Sequence, residues 1–441
     1  MMFIHKSIPR RGFSSIAIVF VALSTQLFLL SSCRKEPLEL INPNSRICKT
    51  YLQQFETVWE GMDQSYMFWE LDTVDWDARY EEYYPVFAAF DAQGVASSSD
   101  YSKAWNGVFE GLLDHHLTAR MWDPKGEVEV WLQPGKNDYS HWTDRNSQLS
   151  ALRNQPGITQ YKGCDPFSYG DKSFPGSWFC LLPGKTPDKK IAYFRFTEFS
   201  FTTLSRYADQ IPNRVTAQAP VMAFYGPLYS EGMVGGEASY ANNDSVEALI
   251  IDVRGNGGGS LSDIVPLIGS LAQSDVLVGY TRVKEGIGRL DYSGWTPFTV
   301  IPPSKHLNQA KPIVVLADIN SASCAELTTM LIQNLPNGTF IGERTYGATC
   351  ALWPQSDTQH DIFYNGCFGD AFYWENGYPY NRDLFSFFVY TSTFYMVDKD
   401  YVCREGIGVK PDIEVLYDAS QLRRGVDNQL ERALEFLRTG K

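Results

Sequence analysis

Apolar runs alternate with helical patterns through the second half of the chain, and this alternation limits the fold more than any other feature. Five runs, most of them rich in β-branched residues, predict buried strands at 191–196, 248–253, 276–282, 312–317 and 339–342. Helical patterns are present at 199–211, at 261–271 and after residue 323. Repeated strand–loop–helix units imply a mainly parallel sheet whose strands are buried. The sequence therefore predicts an α/β fold, α+β overall, with its core in residues 190–441.

The residues before this core divide into two further segments. From 47 to 118 the pattern is helical, and Phe55, Trp59 and Met62 recur at spacings that place them on one helix face. Because such aromatic stripes form packing faces more often than ligand sites, we expect an N-terminal helical subdomain. From 119 to 189, glycine, proline and short alternating runs predict a β-rich segment.

The chain is predicted to end in an amphipathic helix. Apolar residues recur at helical spacing from Asp427 to Thr439. Asp427 is expected to be the N-cap of this helix, because a carboxylate there can accept the unpaired N–H groups of the first turn.

The first 46 residues have the character of a secretory leader and a tether. Basic residues precede an apolar stretch and small residues follow it, which indicates a signal peptide over 1–32. Leu30-Ser31-Ser32-Cys33 resembles a bacterial lipobox, in which Cys33 is lipidated and becomes the first residue of the mature protein. An ordinary signal peptide with a chance cysteine is the alternative. Residues 33–46 would then tether a soluble body to an envelope membrane, in the periplasm or at the surface.

Charge and cysteine content exclude some partners and sites. The formal net charge is −13, and an acidic chain is unsuited to binding nucleic acid. The chain contains no Cys-x-x-Cys, so a zinc ribbon or a thioredoxin-type motif has no support. Seven cysteines remain once Cys33 is set aside, and an odd number leaves at least one free thiol. Cys164–Cys180 and Cys350–Cys367 are the nearest pairs along the chain, although spacing does not establish connectivity.

A serine stands at the most informative junction of the predicted core. The segment Asn320-Ser321-Ala322-Ser323-Cys324-Ala325-Glu326 follows the apolar run 312–317 and precedes a helical pattern. Backbone N–H groups at a helix start are unpaired and lie at the positive end of the helix dipole, so they favour a developing negative charge. Ser323 is therefore a candidate nucleophile for acyl transfer. The alternative is a capping box, with Ser323 as N-cap and Glu326 at N3.

Several other motifs fail. The chain has no Gly-x-Ser-x-Gly elbow and no His-Glu-x-x-His zinc motif. The glycine run at 255–259 lies between a strand and a helix, but its spacing is not that of a dinucleotide-binding loop. It remains a loop of exposed N–H groups near the carboxyl edge of a sheet. Asp114-His115-His116 has no second ligand cluster to accompany it, so a metal site is not supported. No cofactor is predicted.

Taken in order, the motifs resemble those of the C-terminal-processing and tricorn-type serine peptidases. Leu113-Asp114-His115-His116 is similar to the family's Leu-Asp-Gly-His, and 251–259 is similar to its Asp-Leu-Arg-x-Asn-x-Gly-Gly. The serine segment 321–326 is the third element, and 342–347 with 405–412 is the last. Each motif alone is weak, but the ordered set is strong.

The resemblance implies a fold and a set of functional residues. The core is expected to have the parallel-sheet, crotonase/ClpP-like architecture of these peptidases. Ser323 takes the position of the nucleophile, with Ser321 as a secondary candidate beside it. The backbone N–H of Cys324 and one from the Gly257–Gly258 loop are expected to form the oxyanion hole, which requires no metal.

One departure from the family pattern determines which mechanism the resemblance allows. Relatives with a Ser–Lys dyad carry lysine directly after the Thr-x-Gly that corresponds to 345–347, and here that position is Ala348. Because alanine accepts no proton, the lysine-less, tricorn-like branch is the better match. On that pattern His116 is the general base and Glu405 the supporting carboxylate. His115 is the fallback if it, and not His116, occupies the histidine position.

The sequence thus predicts a membrane-tethered serine peptidase that cleaves peptide or protein substrates outside the cytoplasm. A PDZ module often follows the histidine motif in relatives, but 119–189 has no matching carboxylate-binding loop, so none is expected. Two alternatives stay open. One is an inactive ligand-binding lipoprotein on a peptidase scaffold, motivated by Ala348 and His115. The other is a peptidase that uses Cys324 as its nucleophile.

Overall fold

The computed structural model describes most of the chain from residue 48 onwards. The described residues are 48–135, 159–160, 167–169, 179–186, 188, 190–199, 244–350 without 287, 305 and 308, 367–368, 374–375, 378–379 and 387–441. The helices in these ranges are α1 Tyr51–Ser65, α2 Trp76–Gln93, α3 Ser98–Phe109, α4 Ile264–Leu267, α5 Cys324–Gln333, α6 Ala419–Arg423 and α7 Asn428–Thr439.

The strands of the same ranges are numbered in chain order. They are β1 Thr118–Trp122, β2 Glu129–Leu132, β3 Thr159–Gln160, β4 Phe167–Tyr169, β5 Phe179–Lys185, β6 Ile191–Phe196, β7 Ala248–Asp252, β8 Val276–Arg282, β9 Thr296–Val300, β10 Ile313–Ala317, β11 Gly338–Gly342, β12 Cys367–Phe368, β13 Trp374–Glu375, β14 Tyr378–Pro379, β15 Phe387–Tyr390, β16 Tyr395–Asp398 and β17 Ile413–Glu414.

The main sheet is the centre of the molecule. Among the described strands it runs in the order β17-β11-β10-β7-β6-β5-β3, with β4 also paired to β5. The strands from β17 to β6 pair in parallel, and those beyond β6 pair antiparallel at one edge. The predicted α/β architecture with a parallel sheet is therefore confirmed.

Both faces of the parallel strands are buried, as their continuous apolar runs predict. In β10, Ile313 and Val315 belong to one hydrophobic cluster, whereas Val314 and Leu316 belong to another. This division follows from the alternation of side chains along a strand. Helix α7 covers the second face through residues that include Leu430. The sheet is thus enclosed on both sides, and its polar loops lie at the ends of the strands.

Two predicted elements differ from the structure. The run 276–282 is a strand, β8, but it belongs to a separate antiparallel sheet in the order β16-β8-β9. Its second half is partly exposed, as is common for antiparallel strands. The predicted helix 261–271 is broken into a 3₁₀ turn, the short α4 and a second 3₁₀ turn. Pro266 accounts for the break, because it has no N–H to donate to the carbonyl of Ser262.

The N-terminal helices pack through the aromatic stripe that the sequence predicts. Phe55 and Met62 are fully buried, and Trp59 packs against the same cluster. The ring of Phe55 stacks on that of Phe87 with centroids 4.8 Å apart. Because this cluster continues into the core of the main sheet, the helices are fixed to the sheet and do not form an isolated bundle.

Several predictions fall on residues outside the described ranges. These are the signal peptide 1–32, the tether 33–46 with Cys33, and nearly all of the predicted helix 199–211. In the described part of the β-rich segment 119–189 the chain forms β-strands. No helix among the described residues is long and apolar enough to span a membrane.

A buried ion pair joins the glycine run to the C-terminal helix. Arg254 is almost completely buried and donates to Asp252 at 2.6 Å and to Asp427 at 2.8 Å. Burial raises the pKa of Asp252, but the charges of Arg254 and Arg195, with side-chain hydrogen bonds to this carboxylate, together outweigh burial and lower this pKa to about 2. Asp427 also accepts the N–H of Leu430, which confirms it as the N-cap of α7.

Replacing Asp427 with asparagine should separate the ion pair from the helix cap. Asparagine caps a helix as well as aspartate does, so the variant loses mainly a charge that compensates Arg254. We expect the free energy of unfolding, measured by urea denaturation, to fall by about 3 kcal/mol. Asp418→Asn is the matched control, because Asp418 caps α6 at the surface. Equal losses in the two variants would contradict a role for the buried charge.

Candidate functional site

Ser323 lies where the central strand β10 leads into helix α5. The strand ends at Ala317, and Ser323 immediately precedes the first residue of the helix. Its φ is 56° and its ψ is −120°, a backbone conformation that residues with side chains rarely adopt. Such strain costs on the order of 1–3 kcal/mol, persists only where neighbouring groups impose it, and is concentrated at functional sites.

The carboxylate of Glu326 stabilises this conformation by accepting a hydrogen bond from the backbone of Ser323. Glu326 is fully buried and accepts the N–H of Ser323 at 3.1 Å, which confirms this half of the predicted capping box. It also accepts the N–H of Gly347 at 2.8 Å, the N–H of Ala348 at 2.7 Å and the hydroxyl of Thr345 at 2.6 Å. Burial raises the pKa of Glu326 to about 7, although these four donors oppose the shift. The sequence pattern indicated only the cap and missed the other three contacts.

Ala348 lies directly beside Ser323. The N–H of Ser323 is 3.1 Å from the carbonyl oxygen of Ala348, and Ala348 itself is buried. The position at which some relatives carry a lysine is therefore adjacent to the serine, but the methyl group here cannot accept a proton. Any base for Ser323 has to come from another segment.

The glycine run packs against the other side of Ser323. A Cβ added to Gly258 would lie 2.5 Å from the Ser323 Cβ and 3.0 Å from its Oγ. Gly258 also has a φ of 97°, so glycine is required here both by space and by backbone conformation. Its N–H donates to Asn256 Oδ1 at 2.8 Å. The N–H groups of Gly257 and Cys324 belong to the two segments that meet at Ser323.

The glycine run is tied to the strands on either side. Asp318, the residue after β10, accepts the N–H of Gly255 at 2.9 Å. Asn256 accepts the N–H of Ala322 through its carbonyl at 2.9 Å and donates its side-chain amide to the carbonyl of Phe196 at 3.0 Å. The loop and the serine segment are thereby held as one unit. Sequence reasoning did not identify Asp318 or Asn256 as the residues that do this.

Ser321 and the thiol of Cys324 are committed to other contacts. Ser321 is fully buried, and its hydroxyl donates to the carbonyl of Val253 at 2.8 Å while accepting the N–H of Asp318 at 3.0 Å. The Cys324 thiol donates to the carbonyl of Gly259 at 3.2 Å, and burial raises its pKa to about 12. A thiol with such a pKa is not ionised at neutral pH, which argues against it as a nucleophile.

The histidine motif, residues 114–116, lies just before β1 and far from Ser323 along the chain. Asp114, His116 and Glu405 each place a side-chain atom of the metal-ligating kind within 4.8 Å of the other two. Glu405 also accepts the N–H of His115 at 2.9 Å across a sequence separation of 290 residues. The structure therefore brings the expected base and the expected supporting carboxylate together.

Protein donors already satisfy the carboxylates of this cluster. Asp114 accepts the N–H of His116 at 2.8 Å, the N–H of Ser392 at 2.7 Å and the hydroxyl of Thr391 at 2.7 Å. Burial, followed by the nearby charge of Asp114, raises the pKa of Glu405 well above its usual range. Because these oxygens face N–H and hydroxyl donors, the cluster suits the positioning of a histidine better than the binding of a metal ion.

Two hydrogen bonds from backbone N–H groups connect Glu405 and Gly406 to the segment 345–350. The N–H of Gly406 donates to the carbonyl of Gly347 at 2.8 Å, and the N–H of Cys350 donates to Glu405 at 2.8 Å. Both contacts involve the segment 345–350, which also supplies three of the donors to the Glu326 carboxylate. This segment therefore lies between the two halves of the candidate site.

A cavity of about 790 Å³ adjoins the histidine motif. It lies between the end of α3 and the residues after β2, and its lining includes His115, Leu113, Leu132 and Gly406. The ring of His115 is 5.0 Å from that of Tyr346, which belongs to the connecting segment. A cavity of this volume is large enough to receive side chains of a bound peptide.

Replacing Gly258 with alanine should disturb the packing against the serine. Gly126→Ala is the matched control, because Gly126 also has a positive φ, of 68°, but an added Cβ there would contact nothing within 4 Å. We expect Gly258→Ala to lower the free energy of unfolding by about 2 kcal/mol more than the control does, because of overpacking. Urea denaturation measures both. A similar loss of unfolding free energy in the two variants would mean that the glycine run can move away from Ser323 without destabilising the fold.

The titration of Glu326 should be visible in the pH dependence of stability. Its pKa is about 7 in the folded chain against a reference value of 4.5, so the native state binds the proton more tightly. The stability from this group is complete below pH 4.5 and is lost as the pH rises to 7. Because glutamine does not titrate, the stability of the wild type relative to Glu326→Gln should fall by about 3 kcal/mol across this window. A difference that is constant with pH would contradict the raised pKa.

Comparison with known proteins agrees with this geometry. The family model described as peptidase family S41 matches residues 190–415, a range that contains the glycine run, Ser323 and Glu405. The nisin-resistance protein of Lactococcus lactis subsp. lactis is 32% identical over 120 residues, which cover 26% of this chain and 37% of that protein. The match thus spans little more than a third of the length of this relative.

Solved structures share the fold. A structure described as a candidate peptidase from Parabacteroides merdae ATCC 43184 has a TM-score of 0.58 at 19% identity, covering 89% of this chain and 98% of its own. Mature CPAF complexed with lactacystin has a TM-score of 0.50 at 12% identity, covering 90% and 100%. Because the family model matches just over half of the residues, the chain belongs to peptidase family S41.

Proposed function

We propose that this chain is an extracytoplasmic serine peptidase that hydrolyses peptide bonds through Ser323. The observation that carries the proposal is the conformation of Ser323, which is held at a positive φ before the first turn of α5 with Gly258 against its Cβ. The serine is partly exposed and stands beside backbone N–H groups that can stabilise a developing oxyanion. Membership of a peptidase family supports the same chemistry.

The proposed base is His116. It takes the proton of Ser323 as the serine oxygen attacks the peptide carbonyl, and it gives this proton to the leaving amine. A water molecule then attacks the acyl-enzyme while His116 removes a water proton, which returns to the serine oxygen as the acid product leaves. Glu405 orients the imidazole, a role supported by its place in the same 4.8 Å cluster.

The proposed oxyanion hole consists of the N–H groups of Gly257 and Cys324. The N–H of Gly258 is bonded to Asn256, so Gly257 is the better donor of the two glycines. Cys324 is the first residue of α5, where helix geometry leaves the N–H unpaired. Two fixed donors of this kind stabilise the tetrahedral intermediate without reorganising during the reaction.

The proposed location is the bacterial cell envelope. The leader over 1–32 and the lipobox-like residues before Cys33 support export and a lipid anchor at that cysteine. The substrate is then a peptide or protein that reaches the periplasm or the cell surface. Because the whole chain is acidic, we expect no role for nucleic acid as a partner.

Replacing Ser323 with alanine should abolish peptide hydrolysis and labelling by a fluorophosphonate probe. We expect a loss of at least about 10³-fold in kcat/KM with an unchanged Tm, because the hydroxyl forms the acyl-enzyme. Ser102→Ala on the surface-facing part of α3 is the control and should keep full activity. Cleavage of a peptide library by the purified chain, followed by mass spectrometry, provides the activity measurement.

The histidine variants distinguish the two candidates for the base. His116→Ala should reduce labelling as strongly as Ser323→Ala does, whereas His115→Ala should retain most of it. A larger loss in His115→Ala would transfer the role of the base to His115. Wild-type protein that neither cleaves nor labels would contradict the enzyme and leave a ligand-binding lipoprotein as the better description.

A further inference from the structure

Cys350 and Cys403 are two free thiols that are distant along the chain but lie in or against the same hydrophobic cluster. They are close enough for each thiol to influence the pKa of the other. Cys350 is fully buried, and its sulfur accepts the N–H of Met396 at 3.3 Å. Cys403 is partly exposed and packs against the hydrophobic cluster to which Cys350 belongs. Among the cysteines whose side chains the structure describes, Cys403 is the one that interacts with Cys350.

The pair stands on the two segments that meet at Glu405. Cys350 donates its backbone N–H to the Glu405 carboxylate at 2.8 Å, and Cys403 precedes Glu405 by two residues. Gly406 extends the same contact by donating to Gly347 at 2.8 Å. A covalent bond between the two sulfurs would therefore fasten together the segments 345–350 and 403–406.

The two thiols differ in access and acidity, as the members of a redox-active pair do. Cys403 is partly exposed whereas Cys350 is fully buried, and the interaction with Cys350 lowers the pKa of the Cys403 thiol. Burial raises the pKa of the Cys350 thiol well above its usual range. Cys403 is therefore suited to react first with an external oxidant, and Cys350 is suited to complete the reaction from inside.

We propose that Cys350 and Cys403 are a redox-active dithiol that forms an intramolecular disulfide on reaction with a small-molecule disulfide. The leader predicts export to a compartment in which disulfides persist. The inference does not depend on the peptidase proposal, because the bond is detected chemically and not through hydrolysis.

The reaction is a balanced thiol–disulfide exchange. The Cys403 thiolate attacks one sulfur of the oxidant, whose S–S bond breaks and releases one thiol. The Cys350 sulfur, deprotonated as it attacks, then displaces the second half of the oxidant from Cys403. The protein loses two hydrogen atoms and gains one S–S bond, while one oxidant disulfide becomes two thiols.

The test uses the full chain, purified reduced and then treated with glutathione disulfide. After alkylation and proteolysis, mass spectrometry should find the Cys350 and Cys403 peptides joined and the protein lighter by two hydrogen atoms. Before oxidation, Cys403 should alkylate at least about tenfold faster than Cys350, because it is the more exposed and more acidic thiol. Oxidation should raise the Tm by a few degrees, because the bond constrains the unfolded chain.

Single-cysteine variants test the order of the two steps. Cys350→Ala should accumulate a stable mixed disulfide with glutathione on Cys403, since the second thiol is absent. Cys403→Ser should leave Cys350 reduced, and Cys48→Ala, a buried cysteine elsewhere, should form the disulfide as the wild type does. A linked Cys350–Cys367 peptide, a link from Cys403 to any other cysteine, or two thiols still free after oxidation would each overturn the proposal.

Discussion

The geometry around Ser323 depends on the buried carboxylate of Glu326. Three of its four hydrogen bonds come from backbone N–H groups, which belong both to the serine segment and to the segment after β11. Because these donors belong to the backbone, they cannot rotate away from the carboxylate as a side chain could. The carboxylate therefore fixes the serine segment relative to the segment after β11, and it keeps Ser323 in a strained backbone conformation. The glycine run completes the arrangement, because Gly258 leaves no space for the serine to relax. A substitution at any of these positions therefore acts on all three segments together.

The sequence was sufficient for the parts of the fold that follow from local patterns. Strands β6, β7 and β10 are largely apolar and are buried along their whole length, and burial on both faces gives a signal that few other structures share. The cap at Asp427 was predicted for a similar reason, since it depends only on neighbouring residues. Strand β8 was found, but its sheet was not, because a strand pattern does not specify its partner. Partner choice is set by contacts with residues far along the chain, such as those of β16.

The candidate site shows the same division between local and distant information. Ordered motifs predicted Ser323, His116, Glu405 and the glycine run, and the structure places Gly258 against Ser323 and His116 beside Glu405. The contacts that hold them were not predictable, because Asp318, Asn256 and the N–H groups of 345–348 have no distinguishing pattern. Candidate catalytic residues can be recognised by their residue type and motif, whereas the residues that hold them in place by hydrogen bonds often cannot.

The buried pair of Arg254 and Asp427 has a consequence for how the protein matures. Arg254 immediately precedes the glycine run that packs against Ser323, but its second carboxylate is supplied by Asp427, 173 residues further along the chain. Until that residue has been synthesised and α7 has docked, the loop contains a guanidinium whose burial is only half compensated. The surroundings of the serine are therefore complete only once α7 has docked, so the charge balance of this loop depends on the packing of the C-terminal helix.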